Sequence, residues 1–254
     1  MSWNILGART ALLFVGAATL AIAMAVTGQQ TVSAQQAPAP PSAWASAAVD
    51  LTGYWVSIVN EDWRWRMVTP PRGAVDSIPI NNDGRALADK WDPATDGSCL
   101  AYGAAALMRI PTRLHITWES DNVLKVDTDA GVQTRRLVFG ATATPGARSL
   151  QGFSKAIWDR PGGGRGGAAA GGTLNAVTTN LTAGWLRKNG VPYSQDATVQ
   201  EFWDKFTAPN GEDWINITTI VTDPTYLNQP FVMSTHFKRE PDGSKWAPAP
   251  CRTT

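Results

Sequence analysis

The run from Leu114 to Phe139 constrains the fold of this chain more than any other feature. Leu114, Ile116 and Trp118 alternate with His115 and Thr117, the period-2 pattern of a strand with one buried face. Ser120-Asp121-Asn122 then turns the chain into Val123–Thr128, and Asp129-Ala130-Gly131 turns it again into Val132–Phe139. The result is a three-stranded meander with turn residues where turns are needed.

The same signature recurs on both sides. Gly53–Val59 is rich in β-branched and aromatic residues, and Trp63–Val68 follows the acidic turn Asn60-Glu61-Asp62. Thr173–Asn180, Val199–Phe206, Trp214–Thr222 and Phe231–Lys238 also read as strands, with turns at Ala208-Pro209-Asn210-Gly211 and Pro241-Asp242-Gly243. Helical signals are scarce. Asn82-Asp83 can cap a short helix carrying Leu87 and Trp91 on one face, and Ala101–Met108 can form a turn or two. Roughly nine or ten strands without alternating helices predict an all-β chain, a single antiparallel barrel with few short helices.

Composition supports a folded domain. Apolar residues make up 43% and charged residues 17%, the reverse of a disordered chain. The 22 Lys+Arg against 21 Asp+Glu lack the basic excess of a nucleic-acid binder. Twelve tryptophans stand out beside only two histidines and two cysteines.

Residues 1–34 read as a signal peptide. Arg9 precedes a run of small and apolar residues from Ala11 to Val26, too short to span a bilayer comfortably, and Val32-Ser33-Ala34 fits a cleavage site. Residues 35–49 are a Pro/Ala-rich linker, with the barrel domain expected over 50–254. Residues 1–34 contain Arg9 and no acid, so the mature chain has equal numbers of basic and acidic side chains. A neutral chain has no electrostatic reason to bind nucleic acid or an anionic membrane. Neither nucleic acid nor stable membrane insertion after cleavage is expected; a protein partner stays open. A periplasmic or secreted location makes Cys99 and Cys251 a disulfide pair. Pro161–Gly172 lacks the Gly-Lys-Ser/Thr of a phosphate-binding loop and reads as a flexible surface excursion.

Leu51-Thr52-Gly53-Tyr54-Trp55, Thr222-Asp223-Pro224 and Lys238-Arg239 occur in the order of three lipocalin motifs, and the chain resembles the lipocalins in these positions. That resemblance implies a barrel closed at one end by Trp55 under an arginine. Asp50–Trp55, Gly152-Phe153-Ser154 with Trp158, Asn189–Ser194, Glu201-Phe202 and Asp223-Pro224 with Pro230 carry a second resemblance. It is to a family of uncharacterised exported bacterial proteins, and it implies export and one β domain.

Several residues are candidates for chemistry. In a strand, Trp63 and Trp65 share one face and Arg64 and Arg66 the other. Inward tryptophans make an aromatic wall; inward arginines can hold a carboxylate. Two of Trp63, Trp65 and Trp118 are expected to face the lumen. His115 and His236 are the only imidazoles for acid–base work, and Asp223 with Tyr226 precedes His236. Glu61, Asp62, Glu201 and Asp223 are carboxylates for which a glycosidase-like pairing stays open. No metal-ligand spacing and no cofactor motif occur, so neither a metal nor a cofactor is expected.

Two functional readings lead. One is an exported carrier of a small apolar or aromatic molecule in a cavity lined by Trp63, Trp65, Arg64, Trp118 and Tyr226. The other is a cofactor-free isomerase, hydratase or lyase using His236, Asp223 and His115 in the same cavity. A third is an accessory subunit with exposed tryptophans as its interface.

Overall fold

The structure is a computed structural model describing residues 41–60, 63–94, 99–140, 143–160 and 171–252. The expected signal peptide, the expected linker as far as residue 40, Glu61, Asp62 and residues 161–170 of the glycine-rich insert lie outside them. The described residues form eleven strands: β1 Gly53–Ile58, β2 Arg113–Ser120, β3 Val123–Thr128, β4 Thr134–Phe139, β5 Phe153–Asp159 and β6 Thr173–Thr179, then β7 Gly184–Arg187, β8 Val191–Tyr193, β9 Thr198–Thr207, β10 Asp213–Thr222 and β11 Phe231–Glu240. All but β7 and β8 form a closed barrel in the order β1-β11-β10-β9-β6-β5-β4-β3-β2. Pairing is antiparallel throughout except between β4 and β5, which run parallel over Leu137↔Ser154, Val138↔Lys155 and Phe139↔Ala156.

The alternation in the sequence explains the closure. Leu114 and Ile116 of β2, Leu124 and Val126 of β3, Leu137 of β4, Leu174 and Ala176 of β6, Trp203 of β9 and Ile215 and Ile217 of β10 all point into the barrel and are fully buried. Each large apolar side chain buried this way contributes roughly 1.5–3 kcal/mol. The barrel removes the exposed edges that an open sheet would present.

One end is closed by Trp55. Its indole Nε1 donates to the Leu51 carbonyl at 2.9 Å, and the Arg239 guanidinium lies over its ring, 5.3 Å from the centroid. The other end is covered by the long excursion between β1 and β2 and by the β7–β8 hairpin. Val75, Ile78, Ile80, Leu186, Val191 and Tyr193 pack there on Val199, Phe231 and Met233 of the barrel. Leu107 and Met108, from a 3-10 turn at Leu107–Arg109, join the barrel core itself.

The cap contains two short helices, α1 (Trp63–Arg66) and α2 (Asn82–Ala88). Asn81, one residue ahead of the expected cap, accepts from the Gly84 N–H at 2.9 Å. The expected strand over 63–68 does not form. Met67 N–H donates to the Trp63 carbonyl at 2.8 Å, a helical bond. Arg66 Nε reaches the Arg109 carbonyl and its Nη1 the Ile58 carbonyl. These tertiary bonds bury Arg66 and override the β preference of the tryptophans.

Two flanking segments wrap the barrel. Residues 41–47 lie against its Trp55 end, where Ala43 is buried and its carbonyl accepts from Trp158 Nε1 at 2.9 Å. After β11 the chain runs back as a strap. Ala249 N–H donates to the Asp129 carbonyl, Gly131 N–H to that of Ala249, and a disulfide joins Cys251 to Cys99 in the cap, 5.4 Å between Cα atoms.

Candidate functional site

The barrel lumen is filled. Its apolar side chains have essentially no exposure, and its one polar cluster is equally buried. Arg135 of β4 reaches across to Glu201 of β9, Nη1 to Oε1 at 2.8 Å and Nη2 to Oε2 at 2.6 Å. Thr178 Oγ1 accepts from Nη2 at 3.2 Å, and Ser154 and Thr178 bond each other at 2.7 Å. The bidentate geometry occupies both carboxylate oxygens, so the pair braces the barrel from within. Sequence reasoning named Glu201 but missed Arg135. The available signal was a charged residue in the apolar phase of each strand: Arg135 alternates with Leu137 and Phe139, and Glu201 with Val199 and Trp203.

Open space lies outside the lumen, in several surface hollows: one of about 740 Å³ lies where Pro41, Ala43 and Ser46 face Phe139 and Trp158, and another lies between the cap and the strap. A groove of about 390 Å³ is walled by Arg66, Met67 and Thr69 after α1, by Lys188 in the β7–β8 turn, and by Ala249, Pro250 and Arg252 of the strap. Tyr102, Ile110, Pro111 and Ala130 also line it, and among the described residues the lining contains no carboxylate side chain. Tyr102 is fixed on several sides. Its OH donates to the Arg252 carbonyl at 3.3 Å and accepts from the Arg252 N–H at 3.1 Å, and Gln151 Nε2 donates to its carbonyl at 2.7 Å. Gly131, at φ +77°, packs so closely on the ring that a Cβ there would stand 2.3 Å from it. Lys188 Nζ lies 5.2 Å from the Tyr102 ring centroid. A small hollow of about 30 Å³, also lined by Arg66 and Lys188, reaches Trp65, and the Arg64 and Arg187 guanidinium groups lie 4.8 and 4.7 Å from the centroid of its ring.

The residues singled out in the sequence separate into several places. Trp65 reaches the edge of this groove system, but Trp63 projects outward and is 58% exposed. Arg64 holds the outer side of Trp65. Trp118 alone of the three tryptophans faces inward, its ring tilted against Phe139 and Trp158 at 5.6 and 6.5 Å near the Trp55 end. The expected pair of lumen-facing rings from this set is therefore not formed. Tyr226 packs on the outside of the cap beside α2, its carbonyl accepting from Asn81 N–H.

The polar candidates are not assembled into one site. Asp223 is buried and accepts from Ser194 N–H at 2.6 Å, Ser194 Oγ at 2.7 Å and Thr225 N–H at 2.9 Å, anchoring the turn after β10 to the chain after β8. His236 lies opposite Asn216, on the order of 20 Å along the strands from Asp223, and it faces outward between β1 and β10. Convergence of the two fails because Asp223 ends β10 while His236 sits in the middle of β11. His115 is also outside the barrel, stacked on Tyr54 at 4.2 Å with Trp246 against both. Desolvation holds its imidazole below the ordinary histidine value. Among the described residues no group of three or more metal-ligating side chains occurs.

Fold and site together define a capped, closed β-barrel whose filled lumen leaves an external groove with cationic walls. No family model, curated protein sequence or solved structure matches the chain.

Proposed function

We propose that this chain is an exported small-molecule-binding barrel protein whose ligand sits in the groove between cap and strap. The carrying observation is the contrast between a side-chain-filled lumen and a groove of about 390 Å³ with a mixed apolar and cationic lining. That volume falls within the range of ligand pockets, and the lining follows their usual pattern of apolar walls with a few polar anchors. The Cys99–Cys251 disulfide is compatible with an oxidising compartment and fixes the strap wall of the groove. The enzymatic reading gains less support, because neither imidazole shares a cavity with Asp223.

The test is a titration with an uncharged hydrophobic fluorophore, N-phenyl-1-naphthylamine. The protein should bind it saturably at one site. Ala249→Trp, which projects a ring into the groove while its backbone bonds to Asp129 and Gly131 are kept, should abolish that binding. Binding that survives in Ala249→Trp would move the site elsewhere. A second reading, as an accessory subunit, draws on Trp63, Met67 and Val68, all more than half exposed within six residues of the cap.

A further inference from the structure

We infer that the groove selects an organic anion, a ring or chain with a carboxylate or sulfonate end held between Lys188 and Arg252. The inference rests on the groove being a binding site, as proposed above, and adds the chemical class of what it binds.

The first argument is charge. Among the described residues the groove lining carries Arg66, Lys188 and Arg252 and no acid, in a chain whose basic and acidic side chains almost balance. A concave surface of one sign focuses its field on an incoming ion.

The second argument is commitment. Along the barrel wall Lys125 sits beside Asp127, Arg136 beside Glu119, Lys205 beside Asp213 and Lys238 beside Glu212. Arg66 is held by the Ile58 and Arg109 carbonyls and serves as wall. Lys188 and Arg252 differ: neither has a carboxylate within ion-pair distance among the described residues. Both residues line the same hollow.

The third argument is position. Arg252 follows the disulfide, and its N–H is bonded to Tyr102 Oη, so its backbone is fixed at the groove edge. The Lys188 ammonium is drawn over the Tyr102 ring. An acid group between them would accept charge-assisted hydrogen bonds from both. The rest of the ligand would lie along Met67, Ile110 and Pro111. In the adjoining hollow two guanidinium groups, of Arg64 and Arg187, already lie within 5 Å of the Trp65 ring centroid.

The experiment compares two probes on the intact, disulfide-bonded protein: 8-anilinonaphthalene-1-sulfonate, and N-phenyl-1-naphthylamine, the same skeleton without the sulfonate. The sulfonate should bind about tenfold more tightly, and its affinity should fall with added salt. Lys188→Met and Arg252→Gln should each weaken the sulfonate about fivefold and leave the neutral probe unchanged. Lys155→Met, on the outer wall of β5, should change neither, and octanoate should compete where octanol does not. Equal affinities for the two probes, unmoved by Lys188→Met and Arg252→Gln, would overturn the anion inference and leave the binding reading intact. An equal loss in Lys155→Met would overturn it as well, by showing a general charge effect. Failure of both probes to bind saturably would defeat the binding reading itself.

Discussion

Gly53 stands at φ +114°, and a Cβ built there would lie 3.0 Å from Arg239 Nη2. The glycine of Gly53-Tyr54-Trp55 thus has a direct physical reason: only a residue without a side chain leaves room for the guanidinium that covers Trp55. Gly53→Ala should destabilise the fold by about 1–3 kcal/mol, through backbone strain and displacement of Arg239, as read by urea unfolding. An unchanged midpoint would show that the end of the barrel accommodates the methyl group freely. His115 allows a second prediction at this scale. Its folded-state pKa is depressed, so the unfolded chain binds the proton more readily. Its contribution is present above the ordinary histidine value of about 6.5 and is lost as pH falls through the lower folded value. An NMR titration should therefore find the His115 ring titrating below about 6.5, and His115→Gln should flatten part of the stability decline between neutral and mildly acid pH. A ring titrating above that value would contradict the desolvation under Tyr54 and Trp246.

At the scale of elements, legibility followed pattern strength. β3 is found over the residues that its alternation marks, Val123–Thr128, and β10 and β11 differ from expectation only at their ends. β5 was not read as a strand, although Phe153-Ser154-Lys155-Ala156 alternates, because Ser and Ala on its inward face give little hydrophobic signal. α1 was misread because Trp63 and Trp65 favour strands, while the deciding bonds come from Arg66 to a carbonyl 43 residues away. Strand parity alone carries Arg135 and Glu201 inward, but their meeting depends on β9 lying beside β6, an order no local pattern contains. The groove is equally hidden, since its walls come from five separate stretches of chain. The buried pair gives the prediction for this scale. Glu201→Gln leaves a fully buried guanidinium without its counter-charge and should cost about 3–5 kcal/mol in chemical denaturation. Arg135→Met combined with Glu201→Leu should recover most of that loss, since an apolar pair of similar volume avoids the desolvation penalty. A double variant as unstable as the single one would show that the ion pair, and not mere filling, sustains this level of the barrel.

For the whole molecule, the disulfide is the most legible long-range feature, because a chain with two cysteines allows a single intramolecular pairing. It closes a loop spanning 152 positions and ties the cap to the strap. Thiol titration of the denatured, unreduced protein should find no free cysteine, and reduction should release two. Reduction should also lower stability by about 4–5 kcal/mol in the chain-entropy view, less whatever residual structure the unfolded chain retains. Two reactive thiols before reduction would remove this tether and with it the fixed strap wall of the groove. The parallel contact between β4 and β5 has a different consequence. It is only three residue pairs long, yet Arg135 reaches over it from β4 to Glu201 on β9. Were that contact to part, the barrel would open at this line into a curled sheet with β4 and β5 as two new bare edges. Such edges are templates for joining other chains, so the internal clasp on this seam also guards the protein against aggregation.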